Sequence, residues 1–369
     1  MVAPLVKWPG GKTRELPAIL SALPDDVGRV VDPFVGGGAL LFALSPDVPA
    51  VVGDASADLV DLYRRVQDRD AALFDRAWAL GAWWDELAGV VGAHAGRVVA
   101  GFLDRPDADP DDVAARTATA LDEVVDAVVA SVPAAWPEVV APLAADLRAL
   151  VPPKLGRMRA GERRRGARLP DADVDANVEG AVRAALYTRL RTDHNTHRGT
   201  ASPAQAARFL FLREFAYASM FRFNGAGEFN VPYGGISYNR KSFTDRVAHL
   251  ASAAVGDRLA TTTVHAGDFE DTLAAADLCP DDVVFLDPPY DSDFSTYDGR
   301  GFGPDDHARL ARVVRALPCR FQMVVKDTPL VRDLHVDDGW RVEAFDLTYA
   351  WTIKSRNDRR TRHLLISPT

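Results

Sequence analysis

The sequence predicts an α/β fold: an open, mostly parallel sheet with helices on both faces, interrupted by an enlarged inserted α-helical domain. Three observations predict it. Short β-branched and aromatic runs recur towards both ends of the chain, separated by segments of helical spacing. Gly36-Gly37-Gly38 follows the first run and Asp54 closes the second, an acid roughly 20 residues beyond the first strand, which is the β-loop-α-β-acid plan of a nucleotide-type site. Residues 70–207, rich in Ala, Val, Asp and Arg, suit helices better than strands.

Taken in order, Leu16, Ile19, Leu20 and Leu23 give an amphipathic first helix after Lys12. Residues 29–34 read as a strand, 39–44 as the start of a helix, and 50–53 as a second strand closed by Asp54. The third glycine of a dinucleotide GxGxxG pattern is replaced by Leu41, which disfavours a nicotinamide or flavin reading. Prolines at 106, 110, 133, 137, 142, 152, 153 and 170 predict broken helices through the middle, with 152–173 a flexible basic loop. Sheet-like sequence resumes at 261–266, 283–286, 319–325, 341–347 and 363–367. Leu310, Val313, Val314 and Leu317 form a helical stripe after Pro304-Asp305. The expected domains are 1–68 with 208–369, carrying the sheet and a hairpin at about 217–241, and 69–207, the insertion.

At 369 residues the chain is long enough for two domains. No apolar stretch approaches the ~20 residues of a membrane span and no signal-peptide pattern opens the chain, so a cytoplasmic location is expected. Cys279 and Cys319 lack the spacing of a zinc site; they read as buried thiols, with no structural metal. Net charge is −9, but residues 69–153 alone carry −8. Two basic clusters lie elsewhere: Lys154 to Arg168, with seven Lys/Arg against one Glu, and Lys354 to Arg362, with five against one Asp. Each suits either a solvated surface or phosphate.

Asp287-Pro288-Pro289-Tyr290 stands at the carboxyl end of the 283–286 strand, where open α/β sheets place their chemistry. Two prolines fix φ and remove N–H donors, leaving the Pro288 carbonyl to face a ligand. A carboxylate, a carbonyl and an aromatic ring together suit a flat base bearing an amino group.

Four motifs in this order resemble the Dam-like DNA adenine methyltransferases: Lys7-Trp8-Pro9-Gly10-Gly11-Lys12, Asp32 to Gly38, Arg222-Phe223-Asn224 continuing through Gly227 to Gly234, and Asp287 to Tyr290. The resemblance covers residues 1 to about 65 and about 205 to 369, and leaves the enlarged middle unexplained. It implies a Rossmann-like, S-adenosylmethionine-dependent methyltransferase sheet. It also implies the cofactor residues: Trp8 as a π face, Lys12, Asp32 near the amino group, Phe34, Gly36 and Gly38 at the methionine end, Asp54 on the ribose hydroxyls, and Asp268 and Phe269 near the adenine.

For double-stranded DNA the resemblance implies Tyr217 as an inserted aromatic, Arg222 as a bidentate guanine reader, Met220 and Pro232 as apolar contacts, and Lys7 and Asn224 beside them. A GA-containing site such as GATC follows, with a restriction or defence partner possible for such an enzyme. Gly235 departs from the basic residue many relatives carry there; Arg240 and Lys241 come later. The implied mechanism flips the adenine out and uses Asp287 and the Pro288 carbonyl to hold its amine, with Tyr290 stacked on the base. The same pocket chemistry serves cytosine's amine in DNA or adenine in RNA, and a catalytically silent DNA-binding methylase fold is the alternative of another class.

Overall fold

A computed structural model describes residues 2–103, 121–290, 296–297, 300–337, 339–348 and 360–369. Two compact units emerge. Met1–Asp68, Phe221–Phe229 and Ser252–Thr369 form one; Arg69–Met220 and Asn230–Ala251 form the other. Segments 208–220 and 230–251, grouped with the sheet from sequence, thus cluster with the helices.

The first unit holds strands β1 (Arg29–Asp32), β2 (Ala50–Asp54), β3 (Thr262–Ala266), β4 (Asp282–Leu286), β7 (Arg320–Lys326), β8 (Trp340–Thr348) and β9 (Arg360–Pro368), in the order β3-β2-β1-β4-β7-β9-β8. The small β5 (Thr296–Tyr297) and β6 (Arg300–Gly301) pair separately. The first five strands of the sheet run parallel; β9 is antiparallel to both β7 and β8. Alternation along the strands builds two cores, as a period of two requires. Val31, Val284, Val325 and Leu364 meet α10 (Phe269–Ala276), α11 (Pro304–Arg315) and α12 (Pro329–His335) through Leu273, Leu310 and Val331. Their neighbours Val30, Phe285, Val324 and Leu365 pack on the opposite face against Leu16 and Ile19 of α1 (Leu16–Ser21). Helices therefore cover both faces of an α/β sheet. Strand β1 lies between β2 and β4, so the chain leaves it in opposite directions and opens a crevice at its carboxyl end.

Residues 39–44 give only a 3₁₀ turn, Leu41–Ala43, rather than the expected helix. Ser45-Pro46 follows at once, and a residue before proline is driven out of helical backbone. Nor are both cysteines buried: Cys279 is exposed and Cys319 partly so, because the loop entering β4 turns at Cys279, whose N–H donates to Asp282 Oδ2.

In the second unit, α3 (Ala71–Leu103), the helical segment 121–130 (α4), α5 (Pro137–Arg165), α6 (Asp171–Thr196), α7 (Pro203–Phe215) and α8 (Phe243–Ala251) pack together. The expected loop at 152–173 is instead mostly helix: α5 runs through Pro142, Pro152 and Pro153. Each interior proline costs a hydrogen bond and about 3 kcal/mol. Val139, Leu143, Leu147, Val151 and Leu155 form one fully buried stripe at i, i+4 spacing, and that continuous burial offsets the loss. The helix stops at Gly166, whose φ of 65° closes a left-handed cap. Among the described residues, no helix is long and apolar enough to cross a membrane.

Candidate active site

Three neighbouring parallel strands end in carboxylates: β2 in Asp54, β1 in Asp32, and β4 in Leu286, directly before Asp287. Asp32 is buried and its Oδ1 accepts from the Phe34 N–H at 3.0 Å. Burial raises its pKa well above the carboxylate range; Asp287 and Asp54 push the same way, while the Phe34 bond and Lys12 oppose them. Asp54 reaches into the glycine loop, accepting from Gly36 N–H at 3.0 Å and from Ser56 N–H at 2.8 Å.

The glycines of that loop answer to the chain's own packing. A Cβ on Gly36 (φ +48°) would lie 2.6 Å from Trp8 Cδ1, and one on Gly37 would lie 2.4 Å from the Val6 carbonyl. The N-terminal segment is hydrogen-bonded over the loop, Leu5 N–H donating to the Gly37 carbonyl at 2.9 Å. From below, Tyr63 of α2 (Ala57–Gln67) donates its hydroxyl to the Gly36 carbonyl at 3.1 Å, and a Cβ on Gly38 would strike it. Tyr63 is absent from the sequence-derived set. Its signal is the stripe Leu59, Leu62, Tyr63 and Val66, which puts one hydroxyl on the buried face of the helix that follows Asp54.

Lys12 belongs with the Asp287 group. Its buried ammonium lies 2.5 Å from Asp287 Oδ1, 2.9 Å from the Gly10 carbonyl and 3.2 Å from the Tyr290 hydroxyl. Burial raises the Asp287 pKa, against the charge and hydrogen bond of Lys12. Tyr290 also packs on His363, ring centroids 5.5 Å apart, and Pro288 is buried beside Asp287.

Phe34 stacks on Phe269 at 5.5 Å, and Phe269 is buried in the core. Asp268 caps α10: its Oδ1 accepts from Glu270 N–H, and Arg309 clasps both its oxygens at 3.0 and 2.8 Å.

The DNA candidates divide between the two units. In the sheet unit, residues 221–229 form a short hairpin bridged at Phe223 and Phe229. Phe221 packs on Trp8 at 4.8 Å and on Phe223 at 4.9 Å, so alternation turns Arg222 and Asn224 outward. Asn224 Oδ1 accepts from the Ala226 and Glu228 N–H groups and shapes the turn. Lys7 is exposed. In the helical unit, Tyr217 is 50% exposed, Met220 half-buried and Pro232 exposed. Tyr217 N–H donates to the Pro232 carbonyl at 2.9 Å.

Residues 8–83 and 176–352 match the family model described as D12 class N6 adenine-specific DNA methyltransferase. The chain belongs to that family. The D12 match omits 84–175, which contains most of α3 and all of α5. Among curated relatives, a retron Ec67 DNA adenine methylase of Escherichia coli is 31% identical over 42% of this chain and 53% of its own length. The type II methyltransferase M.CviBI of a Paramecium bursaria Chlorella virus is 30% identical over 44% and 60%. The chain thus spans 53% and 60% of the length of these two relatives. The type II methyltransferase M.MjaIII of Methanocaldococcus jannaschii is 24% identical over 86% of this chain and 81% of its own.

Proposed function

We propose that this D12-family protein transfers a methyl group from S-adenosylmethionine to the 6-amino group of adenine in double-stranded DNA. The observation that carries the reading is the line of Asp54, Asp32 and Asp287 across three adjacent strand ends, with the Lys12 ammonium against the last of them. Asp32 is buried with no cation in contact among the described residues. Such a site favours a cationic ligand, and the cofactor's amino group and sulfonium fit it.

When bound, the cofactor supplies an electrophilic methyl group. Asp32 and the loop at Gly36 and Gly38 hold its methionine end, Asp54 its ribose, and Trp8, Phe34, Asp268 and Phe269 its adenine side. Lys12 keeps Asp287 ionised from beneath. Asp287 and the Pro288 carbonyl accept the two amino hydrogens of the flipped adenine and turn its lone pair outward. Tyr290 stacks on the base. As the nitrogen gains the methyl it sheds a proton, which Asp287, with its raised pKa, is suited to receive. Pro289 stiffens the turn that aims these groups. Orientation and fixed charge supply the acceleration, with no covalent enzyme intermediate.

On the DNA, Tyr217, Met220 and Pro232 wedge the opened duplex, Arg222 reads a guanine, and Lys7 and Asn224 assist. The site is GA-containing, such as GATC, and the enzyme works in the cytoplasm beside a restriction or defence partner. Incubating the protein with labelled S-adenosylmethionine and duplex DNA tests this. Methyladenine that disappears in Asp287→Ala is the expected product; methylcytosine or no transfer refutes the reading.

A further inference from the structure

Within the helical unit, α5, α6 and the segment 232–236 line an open hollow of about 390 Å³. Its floor is the small-residue face of α6, Gly180, Ala181 and Ala184, and its charged walls are Lys154 of α5 and Arg191 at the far end of the same α6 face. Among the described residues, no acidic side chain lines it.

Lys154 is unusual for a lysine. It is only partly exposed, and its ammonium has no hydrogen bond or ion pair among the described residues. Burial, then the like charge of Arg157, lowers its pKa. Arg191 donates one N–H to the Val231 carbonyl at 3.1 Å, which orients the guanidinium and leaves further donors. At the rim, Gly235 (φ +86°) has open space where a Cβ would stand. A half-buried ammonium and a fixed guanidinium without a carboxylate between them are costly alone and repaid by an anion. The volume exceeds what one phosphate fills and admits the sugar attached to it.

We propose that Lys154 and Arg191 form a subsite for a sugar–phosphate group within the helical unit. This ligand chemistry has two sources, the backbone of bound DNA and a free nucleotide. The first rests on the proposed DNA reading; the second does not.

The test uses the full chain, with Lys154→Met, Lys154→Arg and, as a variant that leaves both cations in place, Ala184→Glu, which puts a carboxylate on the floor. Duplex affinity is measured across a salt series, adenosine monophosphate binding by calorimetry, and folding by melting curves. For the backbone source, Lys154→Met and Ala184→Glu lower affinity for all sequences alike and flatten the log–log salt slope by about 0.9, while Lys154→Arg keeps it. For the nucleotide source, the same variants lose calorimetric binding and leave the slope unchanged. Folded variants that change neither quantity overturn the subsite. Methyl transfer assayed in parallel separates the two readings: a protein inactive on DNA bases but with Lys154-dependent binding keeps the subsite and loses the proposed function.

Discussion

The Lys12 ammonium sits 2.5 Å from the Asp287 carboxylate, joining the segment that leads into the first helix to the residue after β4. Buried Lys12 is the charge that opposes the desolvation of Asp287. A carboxyl that must accept amino hydrogens works only when ionised, so activity falls as pH drops through its raised pKa. Lys12→Met removes the opposing charge and should move the acidic limb of the pH–rate profile to higher pH, with Lys12→Arg intermediate. Asp287→Asn should lower kcat by about 10²-fold or more at every pH, with cofactor binding nearly intact. An acidic limb that stays put in Lys12→Met separates the pair from catalysis.

Asp32 should set activity against stability. Its pKa is raised on folding, so its contribution is intact below the ordinary carboxylate pKa and is lost as pH rises through the folded value. Asp32→Asn keeps an oxygen for the Phe34 N–H and removes the buried charge. The variant should melt above the wild type at neutral pH, and the gap should close on acidification. Calorimetry of S-adenosylmethionine should show weaker binding by the same variant. A gap in melting temperature independent of pH would show that Asp32 stays ionised at little cost.

The sheet was legible because each strand is a short β-branched run with a turn signal behind it, and the crevice because Gly36 to Gly38 and Asp287 to Tyr290 stand at strand ends. The course of α5 was not. Pro152-Pro153 reads locally as a break, while the Val139-to-Leu155 stripe that overrides it depends on a partner surface no local pattern contains. Lys12 was found but set beside the cofactor, since a pairing with Asp287, 275 residues away, leaves no trace in spacing. Asp268 and Asn224 carry a second duty that spacing does not reveal: their side chains also cap a helix and shape a turn.

Tyr217 is displayed by a strained turn. Ala218 and Ser219 hold φ values of 52° and 53°, a region costing of order 1 kcal/mol or more for residues with a Cβ. Buried Arg213 donates to the Ser219 and Met220 carbonyls at 3.0 and 2.9 Å and holds the turn shut. Arg213→Met should cost about 1 to 3 kcal/mol and raise amide exchange across 216–220. Ser219→Gly should relieve strain and slow that exchange. If Tyr217 opens the duplex, the fluorescence of 2-aminopurine at the target position falls in Arg213→Met, whereas unchanged exchange and fluorescence would leave Arg213 a core residue only.

The end of α5 gives a measurement that tells helix from loop. Arg159 and Glu162 are both buried and paired at 2.7 Å, and Glu162 also accepts from Leu169 N–H at 2.7 Å beyond the cap. Arg159→Met leaves a buried carboxylate short of its counter-ion and should cost about 3 to 5 kcal/mol. Adding Glu162→Gln removes the charge while keeping an oxygen for Leu169, so the double variant should recover most of the loss. A flexible basic loop would instead tolerate Arg159→Met within about 0.5 kcal/mol, as exposed sites do. Urea unfolding of the single and double variants distinguishes these outcomes. A small single-variant cost would return Lys154 to Arg168 to the solvated segment its sequence suggests, and with it would go the fixed wall that holds Lys154 opposite Arg191.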